Sequence, residues 1–252
     1  MEFHKLAKLG TLGGQPVKVY PGFLPSDVAD QVLWLDSADT SPTNIVESGG
    51  SVSRWSDKSG QGNHATQGLG ARQPTTGGAS QNNLNLISFT SPQTLELPSA
   101  LYSLSNGPMT IFAIAKRTSE DASTDTIICF SEGGSGRTWL RFEANVGRVN
   151  WTSSTSGGGF IGSNGNTNTN IIRITAKRSG ILQSISTDAS GTTVNTNAQN
   201  VSGIDAISIG SQADTNFRLE GNEGELIIYN RLLSLGEVSL VENYLDNKWG
   251  LV

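Results

Sequence analysis

The sequence has one cysteine, Cys129, two histidines, two methionines and only 15% charged residues among its 252 positions. A single cysteine excludes any intrachain disulfide, so packing alone must hold the fold. One cysteine and two histidines cannot supply four Cys/His ligands to a structural zinc within one chain. His4 and His64 sit in no Gly-x-Ser-x-Gly or Cys/His context, which sets nucleophilic triads aside. Long Ala/Glu/Lys/Leu-rich stretches are missing, which argues against a coiled coil or helical bundle. Lys and Arg number 17 against 22 Asp and Glu, a net charge of −5 with no basic stripe, so no nucleic acid partner is expected. No run approaches the roughly 20 apolar residues of a membrane span, and Met1 to Gly10 lacks the parts of a secretory signal. The expectation is a soluble chain with no membrane insertion and no usual N-terminal export.

What remains is rich in glycine, serine, threonine and asparagine, with short apolar or alternating runs between turn signals. That pattern predicts an all-β protein of many strands. Met109 to Ala115 is apolar throughout and reads as an inner strand, whereas Trp139-Leu140-Arg141-Phe142-Glu143 alternates and leaves one face wet. The apolar stretch around Cys129 reads as a buried strand thiol. Gly-rich stretches such as Ser156-Gly157-Gly158-Gly159 lie between strand-like runs, so they are loops rather than phosphate cradles. One strong helix is predicted at the C-terminus. Ser234-Leu235-Gly236-Glu237 is a capping box, Val238, Val241, Leu245 and Trp249 form one apolar stripe, and Gly250 suits the stop.

Residues 1 to 30 are punctuated by Gly13-Gly14, Pro16, Pro21, Gly22 and Pro25, too often for a long helix or interior strand. They are expected to form an extended N-terminal docking arm, with Phe3, Leu6, Val19, Tyr20 and Phe23 as its anchors, preceding a domain over 31–252.

Three stretches carry a resemblance. Val32-Leu33-Trp34-Leu35-Asp36-Ser37-Ala38-Asp39 leads to Val52-Ser53-Arg54-Trp55-Ser56-Asp57-Lys58-Ser59-Gly60-Gln61-Gly62-Asn63-His64-Ala65. The chain closes with Glu225-Leu226-Ile227-Ile228-Tyr229-Asn230-Arg231-Leu232-Leu233-Ser234 and a helix ending at Lys248-Trp249-Gly250. From about residue 30 to the end, this resembles the concanavalin A-like, laminin-G-like jelly-roll modules of bacterial surface proteins and tailed-phage virion proteins. The resemblance implies a two-sheet antiparallel jelly-roll sandwich with one C-terminal helix.

Three chemistries are open. Relatives of this fold include glycan hydrolases with paired carboxylates on one strand, and Glu223 and Glu225 would face the same way, ~6.5–7 Å apart, in a regular strand. Glu220 is out of step with them, and Glu225 falls where non-enzymatic jelly-roll modules commonly carry an acid. Calcium (Ca2+) could be held by Asp57 and Asn63, though both also suit side-chain caps of their own tight turns. Glycan binding needs an exposed aromatic beside polar groups, for which Trp151, Phe160 and Tyr102 are the candidates. Trp34, Trp55 and Trp249 are expected to pack inside.

The sequence thus leads to an expected non-enzymatic structural protein of a virion, a capsid decoration or a tail component. It would attach to other virion structural proteins through the arm, form a homo-oligomer, and display a lectin-like module for surface glycan. The alternatives are a glycan-active hydrolase of this fold and a free bacterial carbohydrate-binding module.

Overall fold

A computed structural model describes residues 10–12, 15–17, 22–118, 124–132, 136–144, 148–154, 160–163, 170–196, 198–199, 201, 203–212 and 217–251. They form an antiparallel β structure with one α-helix, Leu235–Trp249. Phe3, Leu6, Val19 and Tyr20 lie outside the described residues. Of the segment before Gly22, only Gly10–Leu12 and Gln15–Val17 are described, paired with each other as two short strands.

The strands follow two runs. In the first, Met109–Arg117 is flanked by Ile172–Ser179 and by Gly221–Tyr229. Gly221–Tyr229 in turn pairs with Gln31–Asp36 and Leu84–Phe89. In the second, Arg137–Phe142 lies between Val149–Ser154 and Asp125–Ser131, and the ladder continues through Ala206–Ile209 and Leu95–Leu97 towards Ser51–Trp55. A single pair, Ser51 with Thr75, joins the two runs, so the expected two separate sheets form one continuous hydrogen-bonded system. The system is doubled over, because one apolar core takes Leu33, Ile111, Ile174 and Leu226 from the first run and Trp55, Ile128, Leu140 and Trp151 from the second.

A second apolar cluster covers the opposite face of the first run. Trp34, Phe112, Ile114, Ile227 and Tyr229 meet Val238, Val241, Leu245 and Trp249 of the helix. Met109–Arg117 is therefore covered on both sides, which accounts for its unbroken apolar sequence. The helix begins as its residues dictate: Glu237 N donates to Ser234 Oγ, Ser234 N donates to Glu237 Oε2, and Gly250 ends it at φ +68°.

Residues 22–30 belong with the domain rather than the arm. Val28 is buried in the helix-side cluster, Phe23 packs edge-on against Tyr244 with centroids 6.4 Å apart, and the Tyr229 hydroxyl donates to the Pro25 carbonyl. Phe23 is thus engaged by its own subunit, a correction to its expected docking role.

One irregularity sets the functional geometry. Along Met109–Arg117, Ile114 pairs with Glu225 but Ala115 pairs with Glu223, so Gly224 is an extra residue in a bulge. A Cβ on Gly224 would lie 2.8 Å from Trp249 Cη2 and 3.0 Å from Ile114 Cγ2. Gly224→Val is expected to lower stability by about 1–3 kcal/mol through overpacking against Trp249. A thermal melt unchanged from the parent would refute that role for the bulge.

Candidate functional site

The bulge sends the two glutamates in opposite directions. Glu225 turns to the helix side, fully buried, and accepts four hydrogen bonds: from Trp34 Nε1 (2.7 Å), Tyr244 Oη (3.0 Å), Lys248 Nζ (2.8 Å) and Trp249 Nε1 (2.9 Å). Burial pushes its carboxyl up and Lys248 pulls it back. Lys248 also reaches Asp36 at 2.6 Å, and Asp36 is bridged by Lys58 at 3.0 Å. The Trp-Asp, Asp-Lys and Lys-Trp stretches of the sequence are therefore one polar knot that fastens the helix to the strands. Glu223 instead pairs with Ala115 and Ile87, both of the inner core, and neither carboxyl oxygen has a hydrogen-bond partner among the described residues. Burial raises its carboxyl well above the ordinary range. The two acids do not face one reacting bond, so the expected same-side pair is not formed.

Asp57 is a turn cap. Its Oδ1 accepts from Trp34 N and Ser59 N, and its Oδ2 accepts from Ser59 Oγ and Asn63 N. Asn63 Nδ2 donates to the Val32 carbonyl. A calcium ion would have to displace four donors from one carboxylate, which corrects the expectation for Asp57 and Asn63. Among the described residues no three His, Cys, Asp or Glu side chains converge to hold a metal. A surface cavity of about 440 Å³ opens beside Ile45, Glu47, Thr76 and Asn85. The Asn85 amide there is already engaged by Thr76, Gly77 and Ser37.

Of the expected glycan-binding aromatics, Trp151 is fully buried in the inner core, opposite Leu140, and presents no surface. This corrects its expected role. Its strand alternates so that Val149 and Trp151 point inward, and the intervening Asn150 and Thr152 point out. Tyr102 is half-buried against the same core, its hydroxyl donating to the Asp205 carbonyl at 2.6 Å. The backbone of Phe160 pairs with Thr152, and its side chain lies outside the described residues. Trp34, Trp55 and Trp249 are buried as expected.

Trp139, on the other face of the neighbouring strand, is also buried, at 5% exposed, beneath a partly exposed ring. It belongs to neither apolar cluster and lies on the outward face of its strand, between Arg137 and Arg141. The Arg141 guanidinium carbon stands 3.9 Å from the indole centroid and that of Arg137 5.1 Å. Phe217 meets the indole edge-on at 5.4 Å and is 42% exposed, with a backbone φ of +52° that bulky residues resist. Across the ladder, Asn150 stands opposite Arg141 and Thr152 opposite Trp139. Both are about 1% exposed. Among the described residues, Asn150 Oδ1 and Nδ2, Thr152 Oγ1 and Trp139 Nε1 have no hydrogen-bond partner. Leaving each such group unpaired costs roughly 1–3 kcal/mol, so a cluster of them marks a place where water or a ligand completes the bonding. Beneath the indole in register, burial pushes the Cys129 thiol up to about 12 and keeps it unreactive. The sequence does carry the signal for Trp139: it is out of phase with the inward Leu140 and Phe142 and in phase with two arginines.

No protein-family model and no curated protein matches the chain. Solved structures do. The chain is similar to Trypanosoma rangeli sialidase in complex with 2,3-difluorosialic acid (TM-score 0.61, 15% identity, covering 88% of this chain and 33% of that one). The same sialidase with sialic acid matches at TM-score 0.59 and 15% identity over 88% and 33%. The binding domain of botulinum neurotoxin DC in complex with SialylT matches at TM-score 0.54 and 11% identity over 88% and 52%. The chain thus spans a third of the sialidases and about half of the toxin domain, and at these identities the likeness is one of fold. It corrects the non-enzymatic expectation, because the fold recurs within the chains of glycan-active enzymes. The architecture is an all-β fold whose solved neighbours include a sialidase and a toxin binding domain.

Proposed function

We propose that this chain is a carbohydrate-recognition module of jelly-roll type, binding glycan on the outward face around Trp139. The observation that carries the reading is the cluster of unpartnered Asn150, Thr152 and Trp139 polar atoms beside the exposed Phe217 ring. Sugar rings offer apolar faces and many hydroxyls, and this face carries the exposed Phe217 ring, with the Trp139 indole, the Asn150 amide and the Thr152 hydroxyl buried behind it. Two strand runs doubled over a shared core support the jelly-roll reading, and neighbours solved with sialic acid and with SialylT support the choice of ligand class. A glycan array probed with the isolated protein tests it. Binding is expected for the parent, and Asn150→Ala with Phe217→Gly should abolish it while the thermal melt stays within a few degrees. Silence of the parent across the array would sink the proposal.

The sialidase neighbours favour a second reading, that the chain is a piece of a glycan-active hydrolase. Release of free sugar from the glycans it binds is the direct assay, and none from the isolated chain would confine that activity to other parts of such a protein.

Docking of the N-terminal segment onto virion structural proteins is carried by the sequence alone and is retained as part of the proposal. Removing residues 1–21 is expected to leave the melt unchanged, because Phe23 and Val28 already belong to the described core. It should also abolish co-assembly, and assembly that survives the truncation would refute the docking role.

A further inference from the structure

Resting on the carbohydrate reading but not on the Trp139 face, we infer that the surface cavity of about 440 Å³ is a second saccharide subsite, which takes a neutral sugar on Glu47 and Thr40. The chain builds this cavity from a break in a ladder. Thr75 pairs with Ser88, but the register shifts before Ala79 pairs with Leu86, so Thr76, Gly77 and Gly78 leave the ladder. Gly77, at φ +82°, permits the detour. The Asn85 amide fills the gap, its Oδ1 accepting from Gly77 N at 3.0 Å and from Thr76 Oγ1 at 3.1 Å, which fixes one polar wall. A second wall is the strand Ile45–Ser48, whose one described ladder is with Ser51–Trp55. The loop before it is pinned from within. Asn44 Nδ2 donates to the Asp36 and Asp39 carbonyls, and Asn44 N and Ile45 N both donate to the Ser41 carbonyl. Thr40 and Pro42 are thus held at the cavity by the chain's own bonds, so a ligand meets a wall already in place.

Size and lining select the ligand. The volume lies in the lower part of the roughly 300–1,000 Å³ of small-ligand sites, which suits a mono- or disaccharide. The groups involved stand at the surface: Thr40, Pro42 and Glu47 are exposed, and Val46 and Thr76 are partly so. Pro42 and Val46 offer apolar surface to the C–H face of a sugar ring, and Thr40 offers a hydroxyl. Glu47 is the one charged residue of the lining. Its Oε2 accepts from Gly50 N at 2.6 Å, and its Oε1 is left for hydroxyl donors. A hydroxyl donating to a carboxylate makes a charge-assisted bond, about twice as strong as a neutral one. An acidic sugar would set a second negative charge beside Glu47 with no cation in the lining to offset it, on a chain of net charge −5. A cationic ligand would find one exposed carboxylate and no aromatic ring to stack on. A neutral sugar uses every kind of group the cavity presents.

Titration by saturation-transfer NMR with methyl mannoside, methyl galactoside, maltose and free sialic acid tests the inference. At least one neutral probe should bind, ~10-fold or more tightly than the acid. Thr40→Trp fills the cavity from an exposed loop position and should abolish that binding with the thermal melt unchanged. Glu47→Gln keeps an acceptor for Gly50 N and should weaken it ~10-fold. Asn150→Ala with Phe217→Gly should leave it intact. Silence of every neutral probe, binding undiminished in either cavity variant, or sialic acid bound as tightly as the neutral sugars would each overturn the subsite, and the glycan array then decides the Trp139 face by itself. A silent array beside neutral-sugar binding that both cavity variants impair would uphold the subsite and refute the Trp139 face.

Discussion

Replacing Glu225 with glutamine is expected to lower stability by about 3–5 kcal/mol, the cost of breaking a buried ion pair from one side. The carboxylate is fully buried and accepts from two indoles, one phenol and one ammonium. An amide in its place turns an NH2 towards at least one of those donors and leaves the Lys248 ammonium with the Asp36 carboxylate and the neutral Tyr244 hydroxyl as its partners in the knot. Urea denaturation measures the loss, and a change below about 1 kcal/mol would mean that the knot is not what holds the helix. Lys248→Met and the double variant complete a cycle. The double loss should be smaller than the sum of the two single losses, because each single change strands the other partner.

Glu223 should behave in the opposite way. Its carboxyl is fully buried, has no hydrogen-bond partner among the described residues and faces Ile87 and Ala115, so removing it removes a penalty. Glu223→Leu is expected to stabilise the protein by about 1–3 kcal/mol from the unpaired group alone, and by more as pH rises. In the folded chain this carboxyl holds its proton well above the ordinary range, whereas the unfolded chain releases it near 4.3. Between those two values the native state binds more protons, so its stability is full below the unfolded value and declines as pH rises towards the folded one. The slope is at most about 1.4 kcal/mol per pH unit. The advantage of the leucine variant over the parent must therefore widen from pH 4 upwards. Equal advantages at pH 5 and pH 8 would refute the assignment of Glu223 as the buried neutral acid, and the comparison cancels every titrating group the two proteins share.

The two glutamates show where sequence reasoning reaches its limit. Alternation puts residues 223 and 225 on one face, and one inserted glycine undoes it. The pattern Glu-Gly-Glu gives no sign of the bulge, and the Trp249 ring that packs against Gly224 meets it only in the folded chain. The Trp- and Asp-bearing ends of the domain were legible as motifs, but their meeting in one knot was not: Trp34 and Glu225 are 191 residues apart. Trp151 is in phase with the inward Val149, whereas Trp139 is out of phase with Leu140 and Phe142. Both strands print their orientation through Leu140, Phe142 and Val149, and one step along a strand exchanges core for surface. Strands such as Thr75–Gln81 and Ser190–Asn195 could not be read at all. They lie towards the margins, largely exposed, and their glycine, serine and threonine carry turn composition without apolar alternation. The helix was legible from end to end because its cap, stripe and stop are local.

Phe23, where the chain enters the domain, and Leu251 both rest on the helix-side cluster. Trp139 lies on the far side of the shared core, on the outward face of its strand. A tether attached at either of those two positions would therefore leave from the helix side and keep clear of the Trp139 side.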